Sequence, residues 1–176
     1  LRFTSDGSDY TVLNRVLTPG FDSAIRIDGN VTSDIGGMRG GNVWFYSPGG
    51  IVAGANSVFD VGSLVLTTND IDTTDGLFGP SGEIRFRGPA SPTTGPFPTV
   101  AIADGATINA LNDDSYVALV APRVVQGGDV TVNGSAAYVG AEQADLTIRN
   151  GLFDISIGVG TSDGNGVVHT GTTTGS

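Results

Sequence analysis

The stretch that decides the fold is Gly41–Thr68, GNVWFYSPGGIVAGANSVFDVGSLVLTT. Val43, Phe45, Ile51, Val58, Val61, Leu64 and Leu66 are apolar, and Asp60 is the only charge among them. Short apolar runs alternate with small polar residues, which is the period of a strand with one face in a core. Ser47-Pro48-Gly49-Gly50 interrupts the pattern with turn chemistry: proline fixes one φ and glycine permits a positive one. Gly49 is the residue expected to supply that positive φ. Val43, Phe45, Ile51, Val58 and Val61 are the candidates for stacked interior positions.

The rest of the chain repeats this style. Apolar clusters recur at Ile25–Ile27, Ile84–Phe86, Val100–Ile102, Tyr116–Val120, Val130–Val132, Leu146–Ile148 and Phe153–Ile157, separated by Gly, Asn or Asp. No segment shows a helical period. The composition agrees. Lysine is absent, glutamate occurs only at 83 and 142, and 28 glycines and many Ser, Thr, Asn and Asp fill the polar positions. Exposed helix faces favour long straight side chains, whereas these residues favour turns and strands. The 176 residues, 39% of them hydrophobic, suit one folded domain. A net charge of −10 speaks against nucleic acid and against an anionic membrane surface. With no cysteine there is neither a disulfide nor a thiolate-held metal.

An internal repeat selects among all-β architectures. GATINALNDDSYVALVAPRVV (105–125) and GDVTVNGSAAYVGAEQADLTI (128–148) each run from Gly through an apolar strand, an Asn and a turn into a Tyr/Val/Ala strand. Aligning Asn109 with Asn133 pairs Ile108 with Val132, and Tyr116 or Val117 with Tyr138 or Val139. A period of about 20–25 residues belongs to solenoids. The expectation is an all-β, right-handed parallel β-helix over 1–159, of about seven coils spaced roughly 4.8 Å apart. A β-sandwich is the rival. A Pro-rich loop outside the coils is expected near 88–98, and a polar Gly/Thr-rich tail or continuation over 160–176.

Motifs with chemistry are few. The single histidine, His169, falls in that tail and reads as an exposed residue, so no His-based triad or multi-histidine metal site is expected. Asp70, Asp72 and Asp75 could offer oxygen ligands to calcium, but the spacing is not that of an EF-hand loop, and an Asp-rich turn is the favoured reading. Asn112–Asp114 reads as a corner. Glu83, Arg85 and Arg87 alternate on one strand and should project to one side as a solvated charged face. Nothing here makes an enzyme site: no catalytic, cofactor or metal residue is assigned.

YTVLNRVL (10–17), AIRIDGNVTS (24–33) and the opening stretch, extended to Ile71, occur in the order of a known pattern. Together they resemble the N-terminal domain of filamentous haemagglutinin, the secretion domain of two-partner secretion exoproteins. In that family an apolar-LNRV strand precedes a segment of the form G-x-V-x-h-h-N-P-N-G-I-h-h-G, followed by V-G-x-L-h-A-S-T-x-D-I, with h apolar. SYVALVAPRVVQGGDVTVNGSAAYVGAEQADLTI (115–148) resembles its continuation, so the likeness spans most of 1–148. It implies a right-handed parallel β-helix, secreted to the surface of a bacterium with an outer membrane. It also implies recognition by an outer-membrane transporter through periplasmic domains. Downstream parts of such proteins are commonly adhesins, and a host or cell-surface receptor, or neighbouring copies, are the further partners. Asn14, Arg15, Ser47, Pro48, Gly49 and Gly50 are the residues that the resemblance marks as the secretion motif. The family's Asn-Pro-Asn-Gly is Ser47-Pro48-Gly49-Gly50 here, and its upstream Asn-Pro-Asn-Leu is absent. An open solenoid end exposes strand edges. The ends are therefore expected to be covered, by further residues of a longer chain or by another chain. Two alternatives stand beside this reading: a segment of a surface filament assembled end to end, and a polysaccharide-active β-helix enzyme.

Overall fold

A computed structural model describes residues 1–17, 23–89, 96–149 and 152–175. The described chain is all-β, without helix, and most of its strands pair in parallel within curled sheets. The parallel pairing removes an immunoglobulin-like sandwich, whose sheets are antiparallel.

The larger sheet curls into a half-barrel and is best described as two flanks. One flank stacks β1 (Arg2–Ser5), β4 (Asn30–Ile35), β8 (Val58–Asp60), the first part of β13 (Thr107–Ala121), the first part of β15 (Asp129–Arg149) and β18 (Thr172–Gly175). The other stacks β2 (Thr11–Arg15), β6 (Asn42–Tyr46), β9 (Ser63–Thr67) and the later parts of β13 and β15. A second, wholly parallel sheet orders β3 (Ile25–Ile27), β7 (Ile51–Ala53), β12 (Thr99–Ile102), β14 (Arg123–Gln126) and β17 (Val167–His169). A short hairpin partner, β5 (Met38–Arg39), returns antiparallel to β4. A third group is antiparallel: β10 (Asp70–Ile71), β11 (Glu83–Arg87), the end of β15 and β16 (Leu152–Gly160).

The registers align like residues into columns. Val31, Phe59, Ile108 and Val130 face one another on the first flank. Phe45, Leu66 and Leu119 do so on the second, and Ala53 and Ile102 in the parallel sheet. All belong to one core cluster. The intervening residues of the second flank, Trp44, Val65, Ala118, Val120, Ala137 and Val139, belong to another cluster with Ile71, Ile84, Phe86 and Leu146 of the antiparallel group. That group lies over the outer face of the second flank. This explains why Ser63–Thr67 is buried at every position rather than alternating: both of its faces are covered. Trp44 is fully buried there; its indole N–H donates to the Tyr116 hydroxyl at 3.0 Å, and burial pushes that phenol's pKa up.

Several expectations need correction. Val58 points outward, 36% exposed, and Phe59 takes the interior position. The strand after Gly54 enters one residue later than the alternation suggested, because Ser57 closes a turn by donating to the Gly54 carbonyl. The two repeats pair Ile108 with Val130 and Val117 with Ala136, offsets of 22 and 19 rather than 24 and 22. Residues 111–114 form an irregularity between them, with Asp114 at φ 59°, so Asn112–Asp114 is indeed a corner. The longest stack holds six strands, not seven coils, because residues 70–88 and 141–160 go to the antiparallel group. The stretch 160–176 carries β17 and β18, which extend both parallel sheets. Residues 90–95 of the Pro-rich loop lie outside the described residues.

Two substitutions test this assignment. Phe59→Ala should lower unfolding free energy by about 3–5 kcal/mol in urea titration. Val58→Asp, one residue away, should change it by no more than about 0.5–1 kcal/mol. Tyr116→Phe should cost about 1–3 kcal/mol, because it strands the Trp44 N–H in a dry site.

Candidate functional site

The motif residues lie at the seam where the second flank hands the chain to the parallel sheet. Ser47–Gly50 forms a turn closed by the Gly50 amide donating to the Ser47 carbonyl at 3.2 Å. Pro48 occupies its second position, where a φ near −65° is wanted. The positive φ falls on Gly50 (118°), not on Gly49. No side chain fits there: a Cβ at Gly50 would lie 3.0 Å from the Ala24 Cβ and 3.1 Å from the Thr99 carbonyl. That close approach lets the Gly50 carbonyl accept from the Ile25 amide at 3.0 Å and start the parallel sheet. Ser47 is fully buried, its amide donates to the Thr67 carbonyl at 3.1 Å, and its hydroxyl has no partner.

Asn14 and Arg15 are equally committed. The Asn14 amide donates to the Trp44 carbonyl at 3.0 Å. Arg15 spans from β2 to β10, donating to Asp70 at 3.0 Å and to the Ile71 carbonyl at 2.7 Å. It thereby ties the half-barrel to the antiparallel group.

The acidic loop serves the same purpose. Arg85 reaches Asp75 at 2.8 Å and Asp72 at 3.9 Å, and Arg87 reaches Asp145 at 2.6 Å. Glu83, Arg85 and Arg87 do share one side, with Ile84 and Phe86 buried on the other. Asp70, Asp72 and Asp75 are thus each paired with arginine. Among the described residues no group of three or more acidic or histidine side chains is placed to hold a metal. The hydroxyl and amide of Thr74 donate to Asp72 and, with the neighbouring Arg85, hold its carboxyl below the ordinary range.

An open groove of about 440 Å³ lies elsewhere, along Gly40–Asn42, Ser63 and Asn112–Tyr116, and touches none of the motif residues. What the sequence did not announce is the opposite end of the columns. His169, in β17, meets the Thr173 hydroxyl at 3.0 Å; Thr173 meets the Tyr138 hydroxyl at 2.7 Å. The rings of Tyr138 and His169 lie 5.4 Å apart. His169 is exposed, as expected, but it belongs to a strand and a hydrogen-bonded cluster. Its alignment under Gln126 and Ile102 was the only signal, and it is visible only once the register is known.

No family model matches this chain, and no curated protein matches it. Among the motif residues, Asn14 is engaged by Trp44 and Arg15 by Asp70 and Ile71, and the unpartnered Ser47 hydroxyl is fully buried.

The loop's electrostatics give a pH prediction. Since the folded-state pKa of Asp72 is lowered, its contribution is complete above the ordinary carboxylate value and fades as pH falls through the folded value. An NMR titration should place the Asp72 midpoint below 3.8, its reference value, and Thr74→Ala should move it back up.

Proposed function

We propose that the chain is a non-enzymatic secretion and structural module of a large exported bacterial adhesin-like protein, wound as a right-handed parallel β-helix and recognised by an outer-membrane two-partner secretion transporter. The winding is supported by the strand registers. Each rung passes in order through the first flank, the second flank and the parallel sheet, as in β4, β6, β7 and again in β8, β9, β12. The function is supported by the ordered motif resemblance from Tyr10 to Ile71.

The observation that carries the reading is that the motif is spent on folding. Ser47 and Gly50 are buried, the Asn14 amide is bonded to Trp44, and Arg15 is bonded to Asp70 and Ile71. Arg15 stays exposed, but only in an extended chain are all of these groups unpaired and open to a transporter. Recognition before folding, followed by folding outside, accounts for a recognition motif that the fold engages. The stacked interior supplies stability without disulfides, as an exported protein lacking cysteine requires.

Co-expression with an outer-membrane two-partner secretion transporter should bring the chain into the medium, and omission of the transporter should retain it. Asn14→Ala should reduce export by about tenfold or more, an effect of at least roughly 1.4 kcal/mol on the recognition step. Val58→Asp should be exported normally. Equal appearance outside the cell with and without the transporter would sink the reading.

A further inference from the structure

The hairpin that folds β5 back onto β4 contributes nothing to either core cluster. Gly36 and Gly37, at φ 59° and 84°, make its turn, and Met38 beyond them is exposed. The Asn112 side-chain amide donates to the Arg39 carbonyl at 2.9 Å and ties the returning strand down. What the hairpin places is Arg39, opposite Asp34 in register and bonded through its side chain to Asp60.

These residues belong to a larger arrangement on the outer face of the first flank. Arg2, Thr32 and Asp60 stand side by side on β1, β4 and β8, and Asp34 lies two residues beyond Thr32 on the same face. Ser33, between them, is buried on the other face. Strand spacing makes the patch about 10 by 7 Å. Arg2 bonds across it to Asp34 at 3.0 Å. Going round the patch the charges alternate, Arg2, Asp60, Arg39, Asp34, with Thr32 between them. Together with Gly37 they line an open groove of about 330 Å³.

Both ion pairs are half-used. Arg2 and Arg39 each donate through Nε alone, to one carboxylate oxygen. Arg15, Arg26 and Arg85, by contrast, spend Nη groups on their partners. Among the described residues the Nη groups of Arg2 and Arg39, the second oxygens of Asp34 and Asp60 and the Thr32 hydroxyl have no bond partner. The groove opens outward from the sheet, not along the stacking axis. A further strand at either end of the stack would leave it open, as Asp129 on this face is exposed although strands flank it on both sides.

A ligand of one sign fits poorly. An anion would meet both aspartates and a net charge of −10, and a cation would meet both guanidiniums. A carboxylate suits an arginine fork, and an ammonium suits a carboxylate oxygen. No aromatic side chain lines the groove, so nothing there selects a large apolar group.

We propose that this groove binds a small zwitterion carrying one carboxylate and one ammonium, the chemistry of a free amino acid. Its carboxylate takes the Nη groups of Arg39, its ammonium takes the free oxygen of Asp34, and Thr32 and Arg2 close the groove beside them. The inference uses side chains outside the secretion motif and is independent of the secretion reading.

Glycine, β-alanine and 4-aminobutyrate are the probes, titrated into the isotope-labelled chain and followed by NMR. Propionate and ethylammonium, each carrying one of the two charges, are the controls. The best zwitterion should shift the amide signals of Thr32, Asp34 and Arg39 with a Kd of about 1–10 mM, and both controls should bind at least about tenfold more weakly. Arg39→Gln or Asp34→Asn should weaken binding about fivefold with little change in the unfolding midpoint, since exposed pairs add little to stability. Arg39→Lys, which keeps the charge and loses the fork, should weaken it as well. Arg26→Gln, outside the groove, should leave binding as it was. No shift at about 100 mM, an equal response to the controls, or binding indifferent to Arg39→Gln and Asp34→Asn overturns the proposal. Shifts of the same signals on concentrating the protein alone would put a second copy in the groove and equally overturn it.

Discussion

The structure depends on a strand finding another strand in register both before and after it. A parallel strand cannot satisfy its own backbone groups, and its inward side chains have only the next strand's side chains to pack against. The columns show the consequence. Phe59, Leu66, Leu119 and Ile108, with neighbours on both sides, are apolar. Toward the end formed by β15, β17 and β18 the columns become polar. The second-flank column runs from Asn14 through Phe45, Leu66 and Leu119 to Tyr138. The first-flank column ends in Thr173, and the third passes from Ile102 to Gln126 and His169. Three columns thus converge on Tyr138, Thr173 and His169, which bond to one another rather than expose apolar ends to water.

The antiparallel group answers a different demand. The second flank is apolar on both faces, so its outer face needs a cover. Residues 70–88 and 141–160 leave the parallel path to supply one. Leu77 and Phe78 come with them, and the Phe78 ring lies 5.2 Å from Trp44. Arg15, Arg85 and Arg87 fasten the cover at its rim through exposed carboxylates. Each such pair contributes little alone; the apolar layer between holds the two together. The sequence motif and the cover are therefore one feature. Arg15 is in the LNRV strand, and its partner Asp70 begins the segment that turns outward.

Much of this was legible and some was not, for physical reasons. Composition named the class, since an absence of lysine and an excess of Gly, Ser, Thr and Asn leaves helices without suitable surfaces. Parity named the interior at Val43, Phe45, Ile51 and Val61, where a period of two leaves one choice. Val58 failed because Asn56-Ser57 closes a turn whose length fixes which of Val58 and Phe59 enters first, and both are apolar. The repeat alignment failed because the two asparagines are not register partners: Asn109 pairs with Thr131, and the extra residues at 111–114 then change the offset again. The positive φ was given to Gly49 because turn chemistry alone favours it there; it falls on Gly50, where Ala24 and Thr99, distant in sequence, leave no room for a Cβ. The second core was invisible because an apolar residue facing outward looks the same as one facing inward until the covering layer is known.

That last ambiguity bears on how such a chain reaches its final state. Consecutive apolar residues such as Leu64–Leu66 are suited to a position covered on both sides, and unsuited to any intermediate in which one cover is missing. Among the described residues the in-register neighbour β13 lies about forty residues beyond β9, and the strands of the outer layer extend to residue 160. Loop closure over such distances is slow compared with local pairing, so exposed strands of this kind face competing partners while they wait. Concentrating the polar and glycine-rich residues at turns and column ends, and keeping the net charge at −10, holds separate chains apart during that interval without weakening the finished stack. The same acidity that bears on the choice of external partners thus serves assembly: it disfavours the wrong strand edges until the right ones arrive.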